Sequence, residues 1–279
     1  MSELPGPINP TSTPTIGGLY AETFVPAGTP KGVVVVTHGY AEHCGRYHEV
    51  ANVIVKAGWT AVTYDCRGHG KSPGERGYID RFDTYVSDLH AVIAAAKRLV
   101  PDGAPAVLLG HSHGSLIVLY ALASANPPQV KTAIVSSPFL GTKLPVPGYK
   151  KLLGRIASRI APKLNQPSGI QSDQLTNDPA KRAEHAADKL NFPTANARWF
   201  VESSKAQAFV DANAHRIAVP TTWLVGGADP LVDPARSRAV ANKVKGATYH
   251  DLVGLKHEVF NEVERGRVFA ELSRALASA

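Results

Sequence analysis

The stretch Ala106-Val-Leu-Leu-Gly110-His-Ser112-His-Gly114 decides the fold, because it joins an apolar run of strand length to a Gly-x-Ser-x-Gly turn. The segment that follows, Ser115-Leu-Ile-Val-Leu-Tyr-Ala-Leu-Ala123, has the composition of a buried helix. A strand, a sharp turn and a helix in this order bring the backbones around Ser112 close together, and the glycines two residues away on each side tolerate that crowding. The serine hydroxyl is then presented at a helix N-terminus, whose free backbone N–H groups favour a developing anion.

This pattern predicts a nucleophile elbow in an α/β-hydrolase sheet, with Ser112 as the nucleophile. A second Gly-x-Ser-x-Gly pentapeptide occurs at Gly70-Lys-Ser72-Pro-Gly74. We reject it because the residue after a nucleophile must donate its backbone N–H to the oxyanion, and Pro73 has no N–H. The same segment matches the end of a phosphate-binding loop, but that motif requires a glycine where this chain has Asp65.

Strand-like and helix-like segments alternate on both sides of the turn, which predicts a mostly parallel, doubly wound α/β sheet. The alternation stops beyond Pro138 and resumes at Pro220. A connection of this length is much longer than usual and indicates an inserted functional element. We therefore expect an α/β-hydrolase core formed by residues 1–138 and 210–279, with an inserted helical cap at residues 139–209.

Composition limits the classes of function. The 279-residue chain has a formal net charge of +7, and residues 141–205 alone hold 11 basic against 5 acidic residues, so the basicity belongs to the predicted cap. We expect no nucleic-acid partner. No apolar run approaches the roughly 20 residues of a membrane span, and the N-terminus lacks the pattern of a signal peptide. Cys44 and Cys66 are expected to remain reduced thiols, which favours a cytoplasmic location.

A serine hydroxyl needs a base to remove its proton and an acid to orient that base. In α/β-hydrolases these groups follow in the order Ser, Asp or Glu, His. His257 is the best of the downstream histidines, because it lies in a loop between the last predicted strand and the last helix. Asp229 directly follows a predicted strand in a Gly-Gly loop and is the expected acid. Asp233, beside Pro234, is the alternative, although its position suits a helix N-cap.

Two backbone N–H donors are needed to stabilise the oxyanion of acyl transfer. One comes from the residue after the nucleophile, His113, and the other from Tyr40, in the loop that follows the β-branched run Val33–Thr37. His38, His111 and His113 also suggest a metal site, but no carboxylate or thiol completes a ligand set by spacing. We therefore expect neither a metal nor a cofactor.

Further segments resemble a known family. His38-Gly-Tyr-Ala-Glu42-His43-Cys-Gly45-Arg46-Tyr47 is similar to the His-Gly-x-x-Glu-His-x-x-Arg-Tyr segment of the monoacylglycerol lipase and lysophospholipase family. Asp65-Cys-Arg67-Gly68-His69-Gly70-Lys-Ser72 resembles its Asp-x-Arg-Gly-His-Gly-x-Ser segment. The resemblance runs from about Gly32 to the end of the chain and is weakest in the insertion. It implies the same triad and oxyanion donors, a cap over an acyl tunnel, and a substrate-binding place for Glu42 and Arg46 near the head-group end.

These observations predict a serine hydrolase that cleaves carboxylic esters of lipid-like substrates, monoacylglycerols or lysophospholipids first, through an acyl-enzyme. The alternatives are a short-chain carboxylesterase or an aminopeptidase-like hydrolase, which would need an acidic cluster to hold the substrate amine, and a non-enzymatic scaffold of the same fold. The chain departs from the family at His113, where Met is usual. An imidazole there, if protonated, would disfavour the His257 imidazolium and so shift the pH profile.

Residues 149–161 of the predicted cap have an amphipathic pattern. Apolar residues recur on one helical face: Leu152, Leu153, Ile156 and Ile160. Basic residues recur on a neighbouring face: Lys151, Arg155 and Arg159. Two arrangements stay open at this point. Either the apolar stripe packs over the acyl tunnel, or it lies in a lipid interface with the basic residues at anionic head groups. The second arrangement implies peripheral contact with anionic membranes or lipid aggregates.

Overall fold

The computed structural model describes residues 4–143 and 148–279, without the side chains of residues 150–152. The strands within these residues are β1 (Thr15–Ile16), β2 (Leu19–Phe24), β3 (Val33–Thr37), β4 (Thr60–Tyr64), β5 (Ala106–His111), β6 (Thr132–Ser136), β7 (Asn165–Pro167), β8 (Thr194–Asn196), β9 (Thr221–Gly226) and β10 (Ala247–Leu252). Eight of them form one sheet in the order β1-β2-β4-β3-β5-β6-β9-β10, while β7 and β8 pair separately. β1 and β2 are antiparallel to their neighbours and all other pairs in the large sheet are parallel. The predicted sheet is confirmed.

Helices cover both faces of this sheet. Those in the described residues are α1 (His48–Lys56), α2 (Asp83–Ala96), α3 (His113–Ala123), α4 (Gly148–Ile160), α5 (Ser172–Leu175), α6 (Pro179–Ala187), α7 (Ala197–Asn213), α8 (Pro234–Ala241) and α9 (Arg265–Ala277). α1 and α9 pack on one face, and α2, α3, α7 and α8 on the other. Val33 and Val35 of β3 enter one core cluster and Val34 and Val36 the other, because successive side chains of a strand point to opposite faces.

The turn between β5 and α3 has the strained geometry that its sequence predicts. Ser112 has φ 49° and ψ −113°, an uncommon conformation for a residue with a side chain. A Cβ on Gly114 would lie 2.1 Å from the carbonyl oxygen of Thr37, and one on Gly110 would lie 2.7 Å from the backbone nitrogen of Ser115. Only glycine fits at either position, and the close approach holds β3, β5 and α3 together.

The insertion between β6 and β9 contains α4 to α7 and the β7–β8 pair. Its last helix, α7, packs against α3 and buries Ala206 and Val210 in the core, so the predicted boundary between residues 209 and 210 falls within a helix. The predicted division into core and cap stays a prediction. In the described part of the chain no helix is long and apolar enough to cross a membrane, and the cytoplasmic location stays a prediction.

Candidate active site

The three residues of the predicted triad meet at the carboxyl edge of the sheet. Ser112 follows β5, Asp229 follows β9 and His257 follows β10. The Ser112 Oγ atom lies 2.9 Å from Nε2 of His257, and the other ring nitrogen, Nδ1, lies 2.7 Å from Oδ2 of Asp229. Ser112, His257 and Asp229 thus form one continuous chain of hydrogen bonds, and they come from loops that are far apart in the sequence.

The electrostatics of the predicted triad suit a base that is oriented by a carboxylate. Asp229 is fully buried, and burial alone would raise its pKa. The neighbouring His257 and the backbone N–H groups of Leu231 and Val232, which donate to Oδ1 at 2.8 and 3.0 Å, outweigh burial and lower that pKa. Burial likewise tends to lower the pKa of His257, but the Asp229 carboxylate outweighs it and the pKa is raised. Asp229 is therefore a carboxylate that stabilises the imidazolium form of His257.

The two competing residues have structural contacts instead. Asp233 is the N-cap of α8, where its Oδ1 accepts the backbone N–H of Ala235 at 3.0 Å. Ser72 lies in a loop where its hydroxyl donates to the carbonyl of Asp65 at 2.6 Å and accepts the backbone N–H of Tyr20 at 2.9 Å. The contacts of Ser72 agree with its rejection on sequence grounds, and those of Asp233 agree with the helix N-cap that its position suits.

The residues predicted to supply the oxyanion donors flank Ser112 from two sides. His113 is the first residue of α3, and Tyr40 lies in the loop after β3, next to Ala41 with its left-handed φ of 66°. Among the described residues, the backbone N–H of neither Tyr40 nor His113 has a hydrogen-bond acceptor. Both residues border the same cavity as Ser112. Two unpaired donors beside the serine provide what an oxyanion requires.

The His113 side chain is surrounded by aromatic residues and does not take part in the hydrogen bonds of the predicted triad. Its Nε2 atom accepts the indole N–H of Trp199 at 3.1 Å, and its ring packs against Phe82 and Tyr85 at centroid distances of 5.7 and 5.0 Å. Burial lowers the pKa of His113 to about 3. The expectation that a protonated His113 affects the His257 imidazolium is therefore wrong, because the ring is neutral at any pH at which an ester hydrolase works. His111 bonds separately, with Nδ1 at 3.0 Å from Oγ of Ser136.

Glu42 and Arg46, predicted to bind substrate, form a buried ion-pair network with Glu258. Glu42 accepts the backbone N–H of Gly39 at 2.5 Å and the hydroxyl of Tyr47 at 2.7 Å. Arg46 donates to both carboxylates, at 2.5 Å to Glu42 and at 2.7 Å twice to Glu258. Burial alone would raise the pKa of each carboxyl, but the Arg46 charge outweighs it and lowers both. Glu42 and Arg46 border the cavity, yet their charges are satisfied within the protein, which favours a positioning role; a substrate contact stays a prediction.

A cavity of about 1180 Å³ opens above Ser112 and His257. Apolar side chains of the insertion form much of its wall: Leu153, Ile156, Ile160, Leu164, Ile170, Phe192, Trp199 and Phe200. Its acidic lining residues in the described chain are Glu42, Asp188 and Glu258, and each has a cationic or imidazole partner, since His43 lies 2.6 Å from Asp188. A long apolar chain fits this space, whereas a free amine would find no unpaired carboxylate there.

The apolar stripe of α4 lies at the mouth of this cavity and remains largely exposed. Leu153, Ile156 and Ile160 are 58%, 46% and 79% exposed. Arg155 and Arg159 of the basic face are also exposed. The side chains of Lys151 and Leu152, which belong to the predicted pattern, lie outside the described residues. The stripe therefore borders the tunnel without being packed against the core.

Comparisons with known proteins cover the core and the insertion together. The family model described as "Serine aminopeptidase, S33" matches residues 28–264. The chain is 30% identical over 271 residues to a monoacylglycerol lipase of Mycolicibacterium smegmatis, covering 94% of this chain and 95% of that protein. It is 32% identical over 247 residues to phospholipase YtpA of Bacillus subtilis, covering 87% and 94%. The crystal structure of a monoacylglycerol lipase from Paleococcus ferrophilus superposes with a TM-score of 0.82 at 29% identity, over 93% of this chain and 98% of that one.

Proposed function

We propose a function from the premise that the chain belongs to the hydrolase family described as serine aminopeptidase, S33, in which its relatives include monoacylglycerol lipases and a phospholipase. The protein is a serine hydrolase of the α/β-hydrolase fold. Its substrates are lipid esters with one long acyl chain, monoacylglycerols or lysophospholipids. The observation that carries this proposal is that the Ser112–His257 pair opens into a cavity of about 1180 Å³ with a largely apolar wall.

The geometry supports an acyl-enzyme route. His257 takes the proton of the Ser112 hydroxyl through Nε2 as the oxygen attacks the ester carbonyl, and Asp229 stabilises the resulting imidazolium. The negative charge that develops on the carbonyl oxygen is stabilised by the backbone N–H groups of Tyr40 and His113. The imidazolium then protonates the departing alcohol, which leaves an acyl-serine. His257 then removes a proton from water as the water attacks the acyl carbonyl, and it returns that proton to the Ser112 oxygen as the fatty acid leaves.

A peptidase activity is the second candidate, because the family description names aminopeptidases. An aminopeptidase must hold the substrate ammonium group, which requires acidic side chains that are available to pair with it. Glu42 and Glu258 share Arg46 as their ion-pair partner, and Asp188 is paired with His43. The lining thus favours a neutral or zwitterionic head group over a free amine.

A substrate panel distinguishes these functions. Monoacylglycerols and lysophosphatidylcholines with acyl chains of 8 to about 18 carbons, p-nitrophenyl acetate and aminoacyl p-nitroanilides are compared by kcat/KM. We expect kcat/KM to rise with acyl length, since each buried methylene contributes about 0.8 kcal/mol, or roughly fourfold. The Ser112→Ala protein is the blank. Preference for the anilides, or equal rates for acetate and long acyl esters, contradicts the proposal.

The exposed stripe of α4 supports a second proposal, that the cap contacts anionic lipid surfaces. Ile156 and Ile160 are exposed at the cavity mouth, and Arg155 and Arg159 are exposed on the same helix. An apolar face flanked by cations binds in a lipid interface, with each cation near the surface contributing about 1 kcal/mol. Such contact would place the cavity mouth where its substrates are found.

A further inference from the structure

One side chain of the cap contacts both residues that flank the predicted oxyanion site. The indole of Trp199, in the first turn of α7, stacks on the ring of Tyr40 with centroids 3.6 Å apart and an interplanar angle of 21°. Its N–H donates to Nε2 of His113 at 3.1 Å. Trp199 is 6% exposed and His113 is 1% exposed, so both contacts are shielded from water.

The position of Trp199 is itself fixed by its neighbours. Asn196, fully buried, caps α7, where its side-chain oxygen accepts the backbone N–H groups of Arg198 at 2.9 Å and Trp199 at 3.4 Å. The backbone N–H of Asn196 lies 3.4 Å from the hydroxyl of Tyr40, which in turn donates to the carbonyl of Gly77 at 3.1 Å. Tyr40 is therefore held by the start of α7 at both its ring face and its hydroxyl.

The indole contact also fixes the imidazole of His113. An indole N–H is a donor only, so Nε2 of His113 must be the acceptor and Nδ1 carries the proton. Phe82 and Tyr85 pack edge-on against the same ring. Because its tautomer and its packing are both fixed, the His113 ring has one orientation. This in turn holds the backbone of His113, the first residue of α3, in place.

We propose that Trp199 is a positioning residue for the oxyanion site, which aligns the backbone N–H groups of His113 and Tyr40 by holding their side chains from the cap. This inference rests on the proposed function, because it concerns the transition state of that reaction. Oxyanion donors work only when they point at the place that the oxygen occupies in the transition state. A residue that fixes them lowers the barrier without contacting the reacting atoms, so its loss reduces kcat more than it changes KM.

The test is a double-mutant cycle on p-nitrophenyl acetate, a substrate too short to report on the acyl tunnel. Trp199→Phe removes the indole N–H and keeps a ring against Tyr40, while His113→Met removes the acceptor. We expect Trp199→Phe to lower kcat about tenfold, less than the roughly 10²–10³-fold loss of a whole donor. KM should change by less than about twofold. In the His113→Met background, the same change should alter kcat by less than about twofold, because the contact is already absent.

Trp223→Phe is the matched control, since it removes a buried indole hydrogen bond, to Thr221 at 2.9 Å, inside the sheet. It should leave kcat unchanged. If Trp199→Phe does not fold, as judged by circular dichroism, His113→Gln replaces it: its amide oxygen can still accept the indole N–H, so it should retain more activity than His113→Met. Equal losses in both backgrounds, a change in KM alone, or equal activity of the Gln and Met variants would overturn the inference. Wild-type protein that cleaves no ester and takes no fluorophosphonate label would instead overturn the proposed function.

Discussion

Arg46 donates two hydrogen bonds of 2.7 Å to Glu258, one from each terminal nitrogen of the guanidinium. Glu258 is the residue directly after His257. The same guanidinium bonds to Glu42, whose other oxygen accepts the backbone N–H of Gly39, next to Tyr40. One cation therefore joins the loop that bears His257, the proposed base, to the loop that bears Tyr40, a proposed oxyanion donor. Because fork-shaped pairs of this kind fix geometry as well as charge, the relative position of the two loops depends on Arg46.

The first prediction concerns the stability of this network. Arg46→Gln leaves Glu42 and Glu258 buried without a counter-charge, so the free energy of unfolding should fall by about 3–5 kcal/mol. Chemical denaturation followed by circular dichroism measures this loss. Arg81→Gln, which breaks an exposed pair with Asp83, is the control and should not move the midpoint. Equal midpoints for the two variants would show that the network does not support the fold.

The second prediction concerns pH. The free enzyme needs neutral His257 to accept the serine proton, and its raised pKa places the acid limb of kcat/KM above its ordinary value of 6.5. Asp229→Asn removes the charge that raises this pKa and leaves the burial that lowers it. The acid limb should therefore move to lower pH, while kcat falls by about 10⁴-fold.

Asp233→Asn is the matched control for the pH experiment, because Asp233 caps α8 and does not touch His257. Its acid limb should coincide with that of the wild type. A limb that stays in place in Asp229→Asn, or one that moves in Asp233→Asn, would mean that the wrong carboxylate is assigned. His113 should not contribute to the acid limb of the wild type or of either variant, because its pKa is about 3.

The sequence predicted the parts of the site whose position follows from topology. Ser112, Asp229 and His257 each follow a strand, and the carboxyl ends of parallel strands meet at one edge, so chain order and strand ends were sufficient to select them. Asp233 was a weaker candidate because Pro234 suits the start of a helix, and the N-cap contact with Ala235 is what separates it from Asp229. The other choices needed no knowledge of side-chain contacts.

Contacts made by the insertion could not be predicted in this way. Trp199 meets Tyr40 and His113 only because α7, capped by Asn196, passes over the turn that bears Ser112. The local sequence pattern does not predict the direction of this helix. The orientation of α4 is a similar case, since its amphipathic pattern fits a buried face and an exposed one equally well. Glu258 follows His257 directly, but its bond to Arg46 joins residues that are 212 positions apart.

The third prediction concerns the cap surface. Ser112→Ala protein, which cannot turn over lipid, should co-sediment with vesicles that contain phosphatidylserine, and less so as salt increases. Replacing Arg155 and Arg159 by Gln should weaken binding by about 2 kcal/mol, or roughly thirtyfold. Arg98→Gln with Lys131→Gln removes two exposed cations outside the insertion and is the control of equal charge. Equal binding by the two double variants would mean that α4 has no special contact with the lipid.

The central claim is that Ser112 is the nucleophile, activated by His257, and active-site labelling tests it most directly. A fluorophosphonate probe should modify the wild-type protein at Ser112 alone, as located by peptide mass spectrometry. Labelling and ester hydrolysis should both be lost in Ser112→Ala, with turnover reduced by about 10⁴–10⁶-fold. Ser72→Ala, which alters the other Gly-x-Ser-x-Gly segment, should label as the wild type does. Labelling that persists in Ser112→Ala, or that disappears in a folded Ser72→Ala protein, would contradict the account.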